Sequence, residues 1–205
     1  LFVTDIGAAR VYVYTNWKYT AAIGATGELG IPSSVAVDEK RGLLYITDSR
    51  EHRVNVYSLN GYSRLRTLGK RGTDPGEFNF PTNVTVDAEG RVYVVDTGNF
   101  RVQVFDEQGK YLKSIGRLGD APGSLARPKG IAIDSEGHIY VVDTAFQNFQ
   151  IFDQNGQILL SVGSAGASPG EFFLPAGMHI DDDDRIYVVN QIPPSIQIFQ
   201  YLGEK

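Results

Sequence analysis

The sequence predicts an all-β protein made of repeated antiparallel sheets. Apolar and polar residues alternate in short runs, and no window shows the period of an amphipathic helix. Tyr and Phe occur 11 times each, against one Met and one Trp, and aromatic residues favour pleated strands. A hairpin-like pattern also recurs along the 205 residues. Strand-only repeats of about 40 to 50 residues are typical of a β-propeller, in which each repeat is a four-stranded blade.

The hairpin pattern is clearest at residues 89–109, where a short polar loop joins two strand-like runs. The copies align on one acidic or amide position. That position holds Asp5, Asp48, Asp96, Asp143 and Asn190, with spacings of 43, 48, 47 and 47 residues. Five registered copies predict five blades in a single domain spanning 1–205.

Blade 1, residues 1–29, has three predicted strands and lacks its first, innermost strand. The strands are Leu1 to Thr4, Arg10 to Tyr14 and Tyr19 to Ile23. Blades 2 to 4, about 30–77, 78–124 and 125–171, are complete, and each opens at a proline. Their predicted inner strands are Val35 to Asp38, Val84 to Asp87 and Ile131 to Asp134. Gly-rich loops between blades let the backbone cross from one sheet to the next.

Blade 5, residues 172–205, opens at Pro175, and its third strand is predicted at Ser195 to Leu202.

The repeat resembles the NHL-repeat family of β-propellers, and the resemblance covers nearly the whole chain. The matching motifs are VAVD at 35–38, YVVD at 93–96, GNFR at 98–101 and VQVFD at 102–106, with a proline before each inner strand. This resemblance implies four-stranded blades arranged as a six-bladed ring.

Six such repeats need about 280 residues, so the sequence predicts a partial arc of the ring. We expect the missing blades to come from a longer chain, or alternatively from another molecule. An open arc exposes apolar surface and strand edges. The two terminal blades should therefore be the least stable part of the protein.

The composition disfavours several classes of function. A net charge of -5 disfavours nucleic-acid binding, although Arg64, Arg66, Lys70 and Arg71 cluster before acidic residues. Cysteine is absent, which excludes disulfides and thiol nucleophiles. No apolar run is long enough to predict a transmembrane segment.

The turns resemble those of bacterial NHL-repeat proteins that work outside the cytoplasm, so we expect a periplasmic or extracellular location.

The loops between second and third strands are the expected site of function, because loops carry binding residues while strands pack. In three repeats the loop runs from Asp to Arg, at Asp5 and Arg10, Asp48 and Arg53, and Asp96 and Arg101. Each pair is predicted to hydrogen-bond across its loop and fix the loop's shape. In the other two repeats the arginine is replaced by Asn148 and Ser195.

The loops of those two repeats combine apolar and amide residues, which suggests a surface for a protein or peptide. The candidate partner-binding residues are Phe100, Phe146, Gln147, Asn148, Gln191, Ile192, Pro193 and Pro194. An equally weighted alternative is that these loops pack against missing blades. Either way, the partner is another protein, a peptide or the rest of the propeller.

Three observations bear on metals and catalysis. His179 stands where other inner strands have a small residue, so it either lines the central channel or, as the favoured interpretation, is hydrogen-bonded in the core. Asp181 to Asp184 form an acidic run without the alternating spacing of a calcium loop. No nucleophile has a histidine at a matching position. The sequence therefore predicts no metal, cofactor or catalytic residue.

Two functions remain at this stage. The favoured one is a non-catalytic binding or scaffold module that presents loops on a propeller face to a protein or peptide. The alternative follows from the resemblance, because related six-bladed propellers act as metal-dependent lyases or lactonases through the central channel. His179 and scattered carboxylates are the only ligands that this sequence offers toward such a channel.

Overall fold

A computed structural model describes residues 1–200 and confirms an all-β fold of small antiparallel sheets arranged as propeller blades. Its helical content in that range is one 3-10 turn at Thr97–Asn99. The strands are β1 (Phe2–Asp5), β2 (Arg10–Thr15), β3 (Lys18–Ile23), β4 (Pro32–Asp38), β5 (Leu43–Asp48), β6 (Arg53–Ser58), β7 (Arg64–Leu68), β8 (Pro81–Val86), β9 (Val92–Asp96), β10 (Arg101–Phe105), β11 (Tyr111–Ile115), β12 (Pro128–Ile133), β13 (Ile139–Asp143), β14 (Asn148–Phe152), β15 (Ile158–Val162), β16 (Ser164–Ala165), β17 (Glu171–Phe172), β18 (Pro175–Ile180), β19 (Arg185–Asn190) and β20 (Ser195–Gln200).

Five sheets correspond to the five predicted blades, each with its strands in sequence order. Blade 1 contains β1–β3, blade 2 β4–β7, blade 3 β8–β11, blade 4 β12–β15 and blade 5 β18–β20. The short strands β16 and β17 pair in parallel between blades 4 and 5. The predicted end of the last strand, Tyr201 and Leu202, lies outside the described residues.

The inner strands begin at the proline, three residues before the predicted start. In blade 2, Pro32 pairs with Asp48 and the register then shifts before Ser34 pairs with Thr47. Proline lacks the N–H that a central ladder position requires, so it is accommodated at the first residue of a strand. The register shift is a bulge, which adds one residue and bends the strand. The alternating pattern becomes regular only after this bulge.

The chain forms two compact units. The first contains Leu1–Asn99 with Gln103–Lys113, and the second contains Phe100–Val102 with the chain from Ser114 onward. In the first unit, successive residues of β5 face opposite sides of blade 2. Leu44 and Ile46 pack with Val11 and Val13 of blade 1. Tyr45 belongs to a second core, which includes Val84, Val92 and Phe105 of blade 3.

The second unit has one core between blades 4 and 5. Tyr140, Val142 and Phe149 of blade 4 pack with Ile186 and Val188 of blade 5. Phe149 also makes an edge-to-face contact with Phe172, at 6.1 Å between ring centroids. Interdigitating side chains hold blades 1 to 3 together in the first unit and blades 4 and 5 together in the second, so the loops at the blade ends stand on a packed base.

Candidate functional site

In blades 2 to 5, a carboxylate or amide at the end of the second strand fastens the segment that enters the same blade. Asp143 is fully buried at the end of β13 and accepts hydrogen bonds from the backbone N–H groups of Ala126, at 2.7 Å, and Arg127. The equivalent pairs are Gly30 and Ile31 with Asp48, Asn79 with Asp96, and Phe173 with Asn190. This repeated contact therefore links two loops at one end of each blade.

The predicted Asp–Arg hydrogen bond across the hairpin loop is wrong in blade 2. Arg53 Nη2 lies 4.0 Å from Asp48 Oδ2 and instead donates to the carbonyl oxygen of Glu28 at 3.0 Å. Both oxygens of Asp48 already accept backbone N–H groups, those of Gly30 and Ile31, so the buried carboxylate is satisfied without the arginine. In blade 1, Asp5 accepts from the N–H groups of Gly7 and Ala8 within its own loop.

A glutamine in the third strand makes a second repeated contact that sequence reasoning missed. In blade 4, Gln150 accepts from the N–H of Gly123 at 3.0 Å and donates to the carbonyl oxygen of Ser124 at 2.8 Å. Gln103 and Gln197 make the same pair of bonds in blades 3 and 5. The available signal was a polar residue recurring every 47 residues in an otherwise apolar strand.

In blades 2 to 5, the other end is held by an aspartate at the end of the first strand. Asp181 accepts hydrogen bonds from the guanidinium of Arg185 and the hydroxyl of Tyr187, each at 2.9 Å. Partial desolvation opposes ionisation, but the bonds from the Arg185 N–H and from Tyr187 outweigh it and leave the pKa of Asp181 lowered. Asp134 bonds His138 and Tyr140 in the same way.

The acidic run at 181–184 is therefore bound largely by protein donors. Asp183 pairs with Arg185 at 2.7 Å, and Asp184 accepts hydrogen bonds from the N–H and the hydroxyl of Ser135.

Throughout residues 1–200, no group of three or more His, Cys, Asp or Glu side chains is placed to hold a metal ion. The same range contains no helix long and apolar enough to cross a membrane.

Blade 4 carries a cleft of about 290 Å³ at the end fastened by Asp143. It is lined by Asp120, Ala121, Pro122, Ser124, Phe146, Asn148, Gln150 and Ser161. These residues come from the connection before β12, the β13–β14 loop, and strands β14 and β15. Two of the predicted partner-binding residues, Phe146 and Asn148, thus meet in one concave site.

We call this site the blade-4 cleft, and its polar groups come from Asp120, Ser124, Asn148, Gln150 and Ser161. The carboxylate of Asp120 is exposed at its rim, and no basic residue is among the described residues that line it. Asn148 Nδ2 donates to Ser161 Oγ at 3.1 Å. In the described part of the chain, Asn148 Oδ1 and Gln147 Oε1 are buried without a hydrogen-bond partner. Unpaired buried oxygens are costly, so this loop has unused acceptor capacity.

Blade 5 has a cleft at the corresponding position, with a volume of about 400 Å³. Its lining residues Ala167, Ser168, Pro169, Ser195 and Gln197 stand 47 residues after Asp120, Ala121, Pro122, Asn148 and Gln150. The blade-5 cleft has no charged lining residue among those described. The two clefts therefore occupy equivalent positions in their blades but differ in charge.

The remaining predicted binding residues lie outside the blade-4 cleft. Gln191, Ile192, Pro193 and Pro194 form the exposed β19–β20 loop, in which Ile192 is 53% exposed. Phe100 is half-buried just before β10, with a positive φ of 57°. Gln147 also has a positive φ, of 55°, within its hairpin loop. The structure thus brings Phe146, Gln147 and Asn148 together and leaves the blade-5 loop as a separate exposed surface.

The favoured prediction for His179, a hydrogen-bonded core position, is wrong. His179 is exposed on β18 and stacks loosely on Tyr187, at 6.2 Å between ring centroids. It lies on the side of blade 5 opposite to the core with blade 4, together with Ile196 and Val189. His52, by contrast, is buried and accepts the N–H of Phe80 through Nδ1 at 3.0 Å.

The repeated sheets and their shared end contacts define a β-propeller built from NHL-type blades, as the sequence predicted. A family model described as 6-bladed beta-propeller matches residues 71–147 and 135–201, and an NHL repeat model matches residues 29–57. The chain belongs to this 6-bladed beta-propeller family. Five blades fall within the residues described here.

Curated relatives include NHL repeat-containing protein 3. The mouse protein is 35% identical over 130 residues, which cover 55% of this chain and 37% of the mouse protein. The human protein is 31% identical over 133 residues, again 37% of its length. The match therefore spans little more than a third of either relative.

Solved structures with the same fold include a protein of unknown function from Bacteroides caccae, with a TM-score of 0.71 and 14% identity over all of this chain and 69% of that one. Virginiamycin B lyase from Staphylococcus aureus aligns with a TM-score of 0.57 and 14% identity, over 84% of this chain and 56% of the lyase. At such identities the likeness shows the fold alone.

Proposed function

We propose that this protein is a binding module that holds a protein or peptide partner at the blade ends carrying the second-to-third-strand loops. NHL propellers are commonly protein-interaction modules, which is the general setting of this proposal. The observation that carries it is the blade-4 cleft, where a partly buried aromatic ring and several hydrogen-bond acceptors line one concave site. Sites of this kind suit an inserted side chain.

The loop that lines the cleft is held rigidly, which favours binding. Asp143 accepts hydrogen bonds from the N–H groups of Ala145, at 2.9 Å, and Phe146, at 3.1 Å, as well as from the entering segment. A loop fixed in this way loses little entropy when a partner binds. The proposal therefore relies on a preorganised site rather than on a large contact area.

The exposed loop of blade 5 offers a second contact surface. Ile192, Pro193 and Pro194 are all exposed, and the loop is tied back by a hydrogen bond from the Ile192 N–H to the Phe173 carbonyl oxygen. Clustered exposed apolar side chains on soluble proteins commonly mark interaction sites. We infer that partner segments contact this loop through apolar side chains.

A peptide-display selection against the immobilised protein tests the proposal. Selected peptides should bind Phe146→Ala and Ile192→Ala at least about tenfold more weakly than the unsubstituted protein, as expected for central contact residues. The melting temperature should stay unchanged for Ile192→Ala. Leu159, which is 53% exposed on β15, provides a matched control because Ile192 has the same exposure.

Equal weakening of peptide binding by Leu159→Ala would contradict the proposal, as would binding that depends on neither loop.

Metal analysis of the complete protein tests the alternative, a metal-dependent lyase or lactonase-like enzyme. One tightly held zinc or calcium per chain would favour that enzyme.

The location outside a bacterial cytoplasm stays a prediction, which fractionation of the source cells tests.

A further inference from the structure

Blade 2 shows what occupies the corresponding site in a repeat that keeps its arginine. Arg53 pairs in register with Asp48 on the neighbouring strand, as Asn148 does with Asp143. Its guanidinium reaches the carbonyl oxygen of Glu28, the residue that corresponds to Ser124 of the blade-4 cleft. Its side chain is only 27% exposed. An arginine of the same chain thus lies across the glycine-rich connection of blade 2.

In blade 4 this arginine is replaced by Asn148, whose side chain is three heavy atoms shorter and uncharged. Gln150 Nε2 takes over the contact with the corresponding carbonyl oxygen, that of Ser124, and the exposed carboxylate of Asp120 lies at the rim of the cleft. We propose that the blade-4 cleft binds the guanidinium of an arginine side chain supplied by the partner. The inference deepens the proposed function and depends on it.

The chemistry of the cleft matches a guanidinium. This group has five N–H donors and no acceptor, so it suits a site rich in oxygens. The exposed acceptors at the rim are the Asp120 carboxylate and Ser161 Oγ. The partly buried ring of Phe146 provides a face for a cation to stack on. A positive partner also complements the chain's net charge of -5.

Blade 5 provides an internal comparison. Ala167 stands in place of Asp120, and the buried position beneath the cleft is Asn190 rather than Asp143. The blade-5 cleft thus lacks the rim carboxylate while retaining the glycine-rich connection and Gln197. We therefore expect it to bind a guanidinium much more weakly than the blade-4 cleft.

Nuclear magnetic resonance with short probes tests the inference. The acetylated and amidated tripeptide Gly-Arg-Gly should shift the backbone amide signals of Gly123, Phe146 and Asn148. The same peptide with citrulline in place of arginine, which has the same shape without the charge, should bind at least about fivefold more weakly. Signals of Gly170, at the equivalent place in blade 5, should not move.

Two variants report on the mechanism. Asn148→Arg supplies the arginine internally, as in blade 2, and should abolish the shifts while the spectrum remains that of a folded protein. Asp120→Asn removes only the rim charge, at an exposed residue, and should weaken binding about fivefold. If Asn148→Arg fails to fold, Asp120→Asn still decides the matter.

Equal binding of the arginine and citrulline probes, or shifts that persist in Asp120→Asn at full strength, would overturn the inference. The outcome is separable from that of the proposed function. If display-selected peptides bind through Phe146 but contain no required arginine, the guanidinium site is refuted and the binding module stands. If no selected peptide depends on either loop, both proposals fall.

Discussion

The buried carboxylate of Asp143 should contribute more to stability than any surface charge of blade 4. Its two oxygens accept hydrogen bonds from four backbone N–H groups, those of Ala126, Arg127, Ala145 and Phe146. In Asp143→Asn one oxygen becomes an amide nitrogen, so at least two of these N–H groups lose their acceptor. At about 1.5 kcal/mol or more for each bond to a charged group, the substitution should cost about 3 kcal/mol.

Urea denaturation, monitored by circular dichroism, measures this loss of unfolding free energy. Asp182→Asn is the matched control, because Asp182 is exposed, and it should change stability by less than about 0.5 kcal/mol. Blade 5 shows that an amide is tolerated at the position, since Asn190 holds the single N–H of Phe173 at 3.2 Å. A cost for Asp143→Asn no larger than that of the control would refute the view that this carboxylate holds the two loops together.

Two further predictions concern the first unit. Gly69→Ala should destabilise by about 2–4 kcal/mol, because φ is +77° and the added Cβ would lie 2.3 Å from the ring of Phe78. Glu107→Gln should lower the melting temperature at neutral pH, because Arg41 donates to Glu107 at 2.8 Å and thereby lowers the pKa of that carboxyl group. A lowered folded-state pKa stabilises above the unfolded value of about 4.3, so the difference from the unsubstituted protein should vanish as the pH falls below it.

Each of these has its own control. Gly76→Ala shares a positive φ, +81°, but its Cβ would meet nothing within 4 Å, so it should cost only about 1 kcal/mol. Equal costs for the two alanine variants would contradict the steric argument. Glu51→Gln changes an exposed acidic residue and should leave the melting temperature unchanged. A difference for Glu107→Gln that persists undiminished at pH 3 would contradict the ion-pair argument.

The blade count and most strand positions were predictable because they depend on local alternation and on a repeat of fixed length. The first residues of the inner strands were harder to predict. The bulge after Pro32 interrupts the alternating pattern, so the first three residues of the inner strand were not predicted to belong to it. Such a bulge is set by the pairing with the neighbouring strand, which a single-strand pattern does not contain.

The contacts of individual side chains were harder to predict, because they depend on how distant segments meet. Asp48 was expected to bond Arg53 within its own loop, yet it bonds Gly30 and Ile31, 18 and 17 residues earlier. His179 was expected to be hydrogen-bonded in the core, but its side chain is exposed and lies beside Tyr187 of the same blade.

The predicted binding loop of blade 4 was found from its composition, and the cleft beside it was not. Asn148 stood out because it replaces the arginine of the Asp–Arg pattern, and Phe146 because it is an apolar residue in the same loop. The opposite wall, which includes Asp120, comes from the preceding connection, and only the fold brings the two together. The repeat alignment does show where the arginine is lost, which is the sequence signal most directly tied to the site.

A crystal structure of the complete protein with its tightest display-selected peptide tests the central claim most directly. We predict an arginine of the peptide in the blade-4 cleft, with its guanidinium about 2.7–3.2 Å from an oxygen of Asp120 or Ser161. A peptide bound at the opposite ends of the blades, near Asp134 and Asp181, would contradict the account.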